Sequence, residues 1–280
     1  MTPQLQANLK RLSLSGLLAT LEIRLLETTS NGLSPLEFLE LLVADEIAAR
    51  NDRSLARRIK DAGFRDHKRL EDFDFSFNAS IPKRRIFEMA AGQLVREKRD
   101  LLLTGPPGVG KSHLVQALGH QYARMGFTVL YRSIFDAVGD LMQSETFQEH
   151  DKMLRRYLRP DVLIIDDMGL KNLPRHGGEH LFEIIMRRFE LRTTIMTSNR
   201  PLEDWGALIG DVPTATAILD RFLSRAEIIP ITGRSYRIRS KIEEERSLPP
   251  SVFETEEKTP TPPRKGQKQT SSTQETTEAE

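Results

Sequence analysis

Apolar residues in the first third of the chain recur at three- and four-residue steps, the spacing of helices with one buried face. The pattern predicts a helix over about residues 3–28, a second from Pro35 to about Arg50 and a third that begins near Asn51. The second helix is expected to bury Leu36, Leu39, Leu42, Val43 and Ile47. Three such helices enclose little apolar volume, so they are expected to pack on a neighbour or on a second copy.

Beyond residue 82, short apolar runs alternate with helical patterns, which indicates an α/β domain built on a parallel sheet. A helix is predicted over about 83–97. Strands are predicted at 101–104, 128–132, 162–165, 193–197 and 228–231, and the intervening helices at about 112–124, 134–143, 147–158 and 178–190. Pro230 marks the last run as an edge strand, because proline cannot donate to a sheet ladder. The predicted fold is a five-stranded parallel sheet with flanking helices, preceded by a small all-α domain.

The composition of the chain limits the kinds of site and the cellular compartment that are expected. The chain of 280 residues has no cysteine, which excludes disulfides and thiolate metal sites and is typical of a reducing cytosol. The first 30 residues lack a signal-peptide block, and no apolar run approaches a membrane span, so a cytoplasmic protein without a membrane partner is expected. The net charge of +1 is unevenly spread: residues 241–280 carry nine acidic and six basic side chains, which leaves +4 on the rest.

Candidate chemistry begins with Gly105-Pro-Pro-Gly-Val-Gly-Lys-Ser112, which follows the first predicted strand and opens a helix. Glycines let backbone N–H groups close around phosphate oxygens, and the helix N-terminus adds a positive partial charge. A lysine in this place reaches the β and γ phosphates of a nucleotide. The residues predicted to bind ATP are Gly105, Pro106, Pro107, Gly108, Val109, Gly110, Lys111, Ser112 and His113. The alternative is a surface loop that matches by chance.

Carboxylates follow the third predicted strand, whose apolar run ends in Asp166-Asp167. The carboxyl end of such a strand lies beside the phosphate loop, so Asp166 and Ser112 are predicted to bind Mg²⁺, and Asp167 to orient or deprotonate the attacking water. Asn199 follows the fourth strand, and its amide can bond both the γ-phosphate and the water. The alternatives are two acids that begin a turn and a plain Ser-Asn-Arg-Pro turn.

Basic residues are concentrated in two segments. Between Arg50 and Arg69 there are eight Lys or Arg and three Asp, and a second group lies in the helix over 147–158. Such clusters favour contact with the phosphates of double-stranded DNA, and a solvated helix face is the alternative. The residues predicted to bind DNA are Arg50, Arg53, Arg57, Arg58, Lys60, Lys152, Arg155 and Arg156.

The domain boundaries follow these changes of pattern. Residues 1–69 are predicted to be a helical domain for DNA binding or oligomerisation, and 70–82 an extended linker whose Phe residues dock on the next domain. Residues 83–240 are predicted to be the nucleotide-binding domain. Residues 241–280, rich in Glu, Lys, Pro, Thr and Gln, are expected to be a disordered tail.

The chain resembles the IstB family in the phosphate loop, in Leu163-Ile-Ile-Asp-Asp-Met-Gly169 and in Thr197-Ser-Asn199. Above all it resembles the family in Gly210-Asp-Val-Pro-Thr-Ala-Thr-Ala-Ile-Leu-Asp-Arg-Phe222 and Gly233-Arg-Ser-Tyr-Arg237, two strings far more specific than the two nucleotide motifs. IstB proteins are AAA+ ATPases encoded beside insertion-sequence transposases and related to the DnaC helicase loader. The resemblance, over about residues 5–240, implies an ATP-dependent helper that assembles into a homo-oligomer on target DNA and delivers it to a cognate transposase.

The resemblance also implies residue roles. In AAA+ rings an arginine from the adjacent subunit completes each ATP site, and Arg221 matches that position, with Arg225 as the alternative. Arg237 is expected to touch the nucleotide of its own subunit. Where relatives commonly have leucine after Ser-Asn, this chain has Arg200.

Two other functions share the same phosphate loop. A helicase loader needs an apolar face for protein docking in the N-terminal helices, whereas the basic third helix favours DNA. A metabolic kinase needs an acceptor-binding constellation, which the sequence does not show, and would leave Asn199 and Arg221 without a role.

Overall fold

The computed structural model describes residues 1–144 and 146–237. The predicted tail over 241–280 lies outside the described residues. The helices are α1 (Pro3–Arg11), α2 (Ser15–Asn31), α3 (Pro35–Ala62), α4 (Lys83–Ala90), α5 (Gln93–Arg96), α6 (Lys111–Arg124), α7 (Ile134–Met142), α8 (Phe147–Leu158), α9 (Gly177–Arg188), α10 (Trp205–Ile209) and α11 (Val212–Leu223). The strands are β1 (Asp100–Thr104), β2 (Val129–Ser133), β3 (Val162–Met168), β4 (Thr193–Ser198) and β5 (Ala226–Pro230), and a 3₁₀ turn covers Leu202–Asp204.

The five strands form one parallel sheet in the order β2-β3-β4-β1-β5. This confirms the predicted fold, and β5 with Pro230 lies at an edge. β4 lies between β1 and β3. The phosphate loop begins at the carboxyl end of β1, which is separated from the carboxyl end of β3 by this one strand. The predicted aspartates therefore lie within side-chain reach of the loop.

Side chains alternate across the sheet and build one core on each face. Leu101, Leu103 and Ile164 pack on the face that carries α6, whereas Leu102 and Ile165 pack on the opposite face. α7, α9 and α11 cover that second face. Strands buried on both faces read as continuous apolar runs, which is why they could be predicted.

Helix boundaries in the N-terminal region differ from the prediction. The expected helix over 3–28 is broken, because Ser13 has a positive φ of 57° and the N–H of Leu14 donates to the carbonyl of Leu9. The buried carboxylate of Glu46 then accepts from the N–H groups of Gly16 (2.7 Å) and Leu17 (3.1 Å) and caps the new helix.

The predicted second and third helices are one continuous helix, α3, so the expected break at Asn51 is wrong. Between Pro35 and Gly63 there is neither glycine nor proline to end a helix. Glu46 also pairs with Arg50 (2.7 Å) and Arg53 (3.3 Å), which ties the two halves together. Farther on, the predicted helix over 83–97 is divided into α4 and α5 at Gly92, whose φ is +83°.

The apolar face of α3 is also different from the prediction. Of the five residues expected to be buried, only Leu42 is buried. The other four lie at steps of three and four residues along one side of the helix and are 46–66% exposed: Leu36, Leu39, Val43 and Ile47. We call these four residues the α3 apolar stripe. The helical region therefore leaves apolar surface open to a partner.

The segment between α3 and α4 packs onto the sheet domain. Phe73 and Phe75 lie against the core on the α6 side, as predicted for the linker. Leu55 and Ile59, near the end of α3, pack on the same core. Residues Met1–Ser240 form one compact unit, and the division at residue 69 into two domains stays a prediction. In the described part of the chain, no helix is both long and apolar enough to cross a membrane.

Arg188 of α9 is almost fully buried and links this helix to the end of α8 and the start of β4. Its Nη1 donates to the carbonyls of Tyr157 (2.9 Å) and Pro160 (3.0 Å), and its Nη2 donates to that of Thr193 (2.6 Å). Its Nε donates to Thr194 Oγ1 at 3.0 Å. Burial lowers the pKa of Arg188 to about 9. These donors satisfy carbonyls that neither the helix nor the sheet pairs.

Arg188→Ala is expected to lower the free energy of unfolding by about 3–5 kcal/mol, because each buried carbonyl left without a donor costs about 1–3 kcal/mol. Urea unfolding followed by circular dichroism measures this. Arg187→Ala is the control, since that side chain is 52% exposed and pairs only with Glu183 among the described residues. Equal losses in the two variants would contradict the buried role.

Candidate nucleotide-binding site

The phosphate loop leaves β1 and enters α6 in a conformation that requires glycine. Gly105 has a φ of +148°, and a Cβ there would lie 1.9 Å from the carbonyl oxygen of Ile231. Gly108 has a φ of +81°, and a Cβ would lie 2.0 Å from Ser235 Oγ. The chain after β5 therefore packs directly on the loop, which only a residue without a side chain permits.

Lys111 is the first residue of α6 and is 5% exposed. Its Nζ donates to the carbonyls of Gly105 (2.7 Å) and Pro106 (2.8 Å), so the ammonium lies inside the loop. Burial lowers the pKa of Lys111 to about 8, against the opposing effect of Asp166 and Asp167. A phosphate bound in the loop would offer the ammonium a stronger partner than the two carbonyls.

Asp166, near the end of β3, is fully buried, and its carboxylate gathers four donors. Oδ1 accepts from Ser112 Oγ (3.1 Å), from the N–H of Asp167 (2.9 Å) and from Thr197 Oγ1, and Oδ2 accepts from Tyr131 OH (2.6 Å). Burial and the neighbouring carboxylate raise the pKa of Tyr131, so its hydroxyl stays a donor. A hydroxyl and a carboxylate in contact are the hard oxygen ligands that Mg²⁺ prefers, so these residues fit the predicted ion.

Asp167 has a positive φ of 68°, which is uncommon for a residue with a side chain. Its N–H donates to Thr197 Oγ1 at 3.1 Å as well as to Asp166. The same position lines the cleft above the phosphate loop. The carboxylate accepts a hydrogen bond of 2.8 Å from Arg65 Nη1. The residue predicted to activate water thus has an arginine partner from the N-terminal region.

The cleft has a volume of about 420 Å³. Asn199 and Arg237 line it beside the loop, as expected for residues that touch the nucleotide. The segment before α4 forms its other wall with Lys68, Phe73 and Phe77, among others. The predicted loop residues in the lining are Pro107, Gly108, Val109, Gly110, Lys111, Ser112 and His113. The cleft therefore brings together residues predicted from four separate parts of the sequence.

Arg221, on α11, and Arg225, between α11 and β5, are both absent from the lining of the cleft. Arg221 on α11 is half exposed, pairs with its neighbour Asp220 at 3.3 Å and lies over the ring of Phe189. Arg225 is tied down within the chain, since it donates to the carbonyl of Glu97 (3.3 Å) and pairs with Glu190 (3.6 Å).

The predicted DNA-binding residues fall into groups with different contacts. Four of them line one groove with Arg132 and Arg159 of neighbouring elements: Lys60, Lys152, Arg155 and Arg156. Arg50 and Arg53 instead pair with Glu46, and Arg58 Nε donates to the carbonyl of Ala123 at 2.9 Å. Arg57 is exposed on α3.

Some residues of the site were missed by sequence reasoning. Tyr131 and Thr197 bind Asp166, and both lie on strands beside β3, where parallel pairing at neighbouring positions points to contact. Arg65 and Lys68 belong to the basic run for which only DNA contact or a solvated face was considered, and they lie at the cleft instead. No sequence signal places that run at the cleft, because its position depends on how the chain after α3 crosses α6.

Comparisons with known proteins agree with this geometry. The chain matches the family described as IstB-like ATP binding protein over residues 7–244. A protein named for ATP binding in insertion sequence IS5376 of Geobacillus stearothermophilus is 35% identical over 219 residues, which cover 78% of this chain and 87% of that protein. A corresponding insertion-sequence protein of Mycobacterium tuberculosis is 35% identical over 240 residues, covering 85% and 96%.

Solved structures share the fold. DnaI is 22% identical with a TM-score of 0.50, covering 59% of this chain and 92% of that chain. DnaA from Aquifex aeolicus, solved with AMPPCP, is 19% identical with a TM-score of 0.51, covering 66% and 57%. The family match spans the phosphate loop, the aspartate pair and α11 on an AAA+ type sheet, so the chain belongs to the IstB-like ATP-binding protein family of insertion sequences.

Proposed function

We propose that this protein is an ATP-dependent, DNA-binding helper of an insertion-sequence transposase, which assembles on target DNA with ATP and disassembles on hydrolysis. The observation that carries the proposal is the cleft itself. It joins the phosphate loop and the end of β3 to a wall supplied by the segment between α3 and α4. A nucleotide between these parts contacts the catalytic and the N-terminal regions at once, which is what coupling of ATP to assembly requires.

The chemistry proposed for the site is hydrolysis of ATP to ADP and phosphate. Lys111 and the loop N–H groups hold the phosphates, and Ser112 with Asp166 holds Mg²⁺, which neutralises charge on the phosphate oxygens when bound. Asp167 accepts the proton of the attacking water or orients it. Asn199 bonds the γ-phosphate and the water through its amide.

Arg221 is proposed to complete the site of the next subunit. It lies far enough from the cleft to be absent from its lining, and its side chain is 49% exposed. Arg225 is the weaker choice, because its contacts with Glu97 and Glu190 hold it within its own chain. A guanidinium delivered by a neighbour makes hydrolysis depend on assembly.

The proposed DNA-binding surface is the groove between the end of α3, β2 and α8. Its described lining has six basic side chains and three acidic ones, and the acidic ones are Asp61, Asp140 and Glu149. The groove joins the two basic segments, which are about 90 residues apart in sequence, at one surface. Clustering of this kind is typical of phosphate contacts rather than of a solvated face.

A DnaC-like helicase loader is the second candidate, and the α3 apolar stripe favours it. A loader needs an apolar face for a protein partner in this region, and the stripe supplies one. The transposition helper uses the same stripe for contacts between its own copies. The two functions therefore differ in the partner that covers the stripe.

Lys111→Ala is expected to abolish ATP binding, because no other ammonium lies inside the loop among the described residues. In the wild type, a pKa of about 8 means that Lys111 loses its charge as pH rises through that value. ATP affinity is therefore expected to be constant below about pH 8 and to fall by up to about tenfold per pH unit above it. Fluorescence titration with a labelled ATP analogue measures both effects.

Lys10→Ala is the control for that titration, since Lys10 is exposed on α1. Unchanged nucleotide affinity in Lys111→Ala would remove the proposed site. A flat affinity up to about pH 9.5 in the wild type would show that Lys111 keeps its proton before ATP binds.

Replacing Lys60, Lys152 and Arg159 by Ala is expected to weaken duplex DNA binding at every sequence. The slope of log K against log salt should fall by about 2–3, at about 0.9 per lost phosphate contact. Fluorescence anisotropy at several salt concentrations measures the slope. The control replaces three exposed basic residues outside the groove: Lys10, Arg11 and Lys98. An unchanged slope in the groove variant would mean that these residues form a solvated surface and do not contact DNA phosphates.

Replacing Leu39 and Val43 by Gln is expected to reduce the size of the assembly formed with ATP and DNA, because it makes half of the α3 apolar stripe polar. Sedimentation velocity measures the size, and Glu40→Gln on the same helix is the control. If the variant assembles normally but no longer sediments with a replicative helicase hexamer that the wild type binds, the loader function is favoured instead.

A further inference from the structure

The ion pair between Arg65 and Asp167 joins two regions that are 102 residues apart in sequence. Arg65 Nη1 lies 2.8 Å from Asp167 Oδ2. The Arg65 side chain is 50% exposed, whereas that of Asp167 is 19% exposed. The arginine is therefore free to leave, while the aspartate is fixed at the end of β3.

Backbone contacts place Arg65 firmly beside the phosphate helix. The N–H groups of Arg65 and Asp66 both donate to Gln116 Oε1 at 3.1 Å. Gln116 lies one turn after Ser112 on α6, and its Nε2 donates to the Ser112 carbonyl at 3.2 Å. The guanidinium of Arg65 lies over the ring of Tyr131, 5.8 Å from its centroid. The position of Arg65 is thus set by residues of the nucleotide site.

We propose that Arg65 is a positioning residue that holds Asp167 out of reaction, and that DNA in the groove releases it. The inference rests on the proposed function, because it assigns regulation to the same site. To activate water, Asp167 must offer a carboxylate oxygen to the O–H of that water. In the ion pair the guanidinium holds Oδ2 of Asp167 and so fixes the direction of the carboxylate. Turning this carboxylate toward a water therefore requires Arg65 to move.

The groove begins next to this ion pair. Gly63, two residues before Arg65, lines the groove, and a Cβ there would lie 2.4 Å from Nη1 of Arg132. Arg132 also lines the groove. A DNA phosphate at this end of the groove offers the half-exposed guanidinium of Arg65 an anionic partner that competes with Asp167.

A second partner for the released guanidinium is already present. Asp136, in the first turn of α7, lies 3.9 Å from Arg65 Nη2 and is 60% exposed. The guanidinium therefore lies between two carboxylates, and that of Asp136 remains as a partner for Arg65 when it leaves Asp167.

The test compares Arg65→Ala and Arg65→Lys with wild-type protein in steady-state ATP hydrolysis, with and without duplex DNA. Without DNA, Arg65→Ala is expected to raise kcat about two- to fivefold, the range that a half-exposed ion pair supplies, with KM for ATP unchanged. With DNA, the rates of wild type and Arg65→Ala are expected to be equal. Arg65→Lys, which keeps the charge but not the planar fork, is expected to be intermediate.

Arg69→Ala is the matched control, since Arg69 is exposed on the same segment and pairs with Glu71 rather than with Asp167. It should leave both rates unchanged. A lower kcat in Arg65→Ala without DNA would overturn the inference, because it would show that Arg65 assists the reaction. An unchanged ratio of the rates with and without DNA would also overturn it. If the wild type hydrolyses no ATP with or without DNA, the proposed function itself is wrong. That result is distinct from a failure of the inference about Arg65, in which the wild type is active.

Discussion

The buried carboxylate of Asp166 is the group on which the nucleotide site depends. A charge without access to water is stable only when hydrogen-bond donors surround it, and Asp166 has four. The donors come from α6, β2, β4 and the next residue of β3, so the carboxylate ties the phosphate helix to three strands. The hydroxyl of Ser112 and the N–H of Asp167, whose φ is positive, are both held by this one group.

The same network connects the two surfaces of the molecule. Tyr131 binds Asp166 through its hydroxyl and lies under the guanidinium of Arg65 through its ring. The carbonyl of Tyr131 accepts from Arg132 at 2.8 Å, and Arg132 lines the basic groove. The strand β2 therefore contacts the buried carboxylate of Asp166 through Tyr131 and lines the groove through Arg132. A ligand in either place acts on the same few side chains.

Structure could be predicted from the sequence where a physical requirement acts on residues close together in the chain. Strands buried on both faces produce apolar runs, so the sheet was predicted closely. A phosphate cradle requires its glycines and lysine in a fixed order, which is why the loop could be singled out from the sequence. The break at Ser13 was not predicted, because it depends on Glu46, which contacts groups about 30 residues away. The continuous helix across Asn51 could have been predicted, because neither glycine nor proline lies between Pro35 and Gly63. Apolar spacing alone also predicted burial for residues of the α3 apolar stripe, although spacing shows only that residues share a face.

The position of Arg65 shows the same limit in the site itself. A basic residue beside a basic helix is assigned to DNA by composition, yet its side chain pairs with the acid at the end of β3. The two interpretations are compatible if one segment serves both surfaces in turn. Under the proposed function, Arg221 completes the site of a neighbouring copy, and Arg65 holds Asp167 until DNA is bound. A copy that lacks both DNA and a neighbour would then hydrolyse ATP slowly for two separate physical reasons, and each would be removed by a different step of assembly.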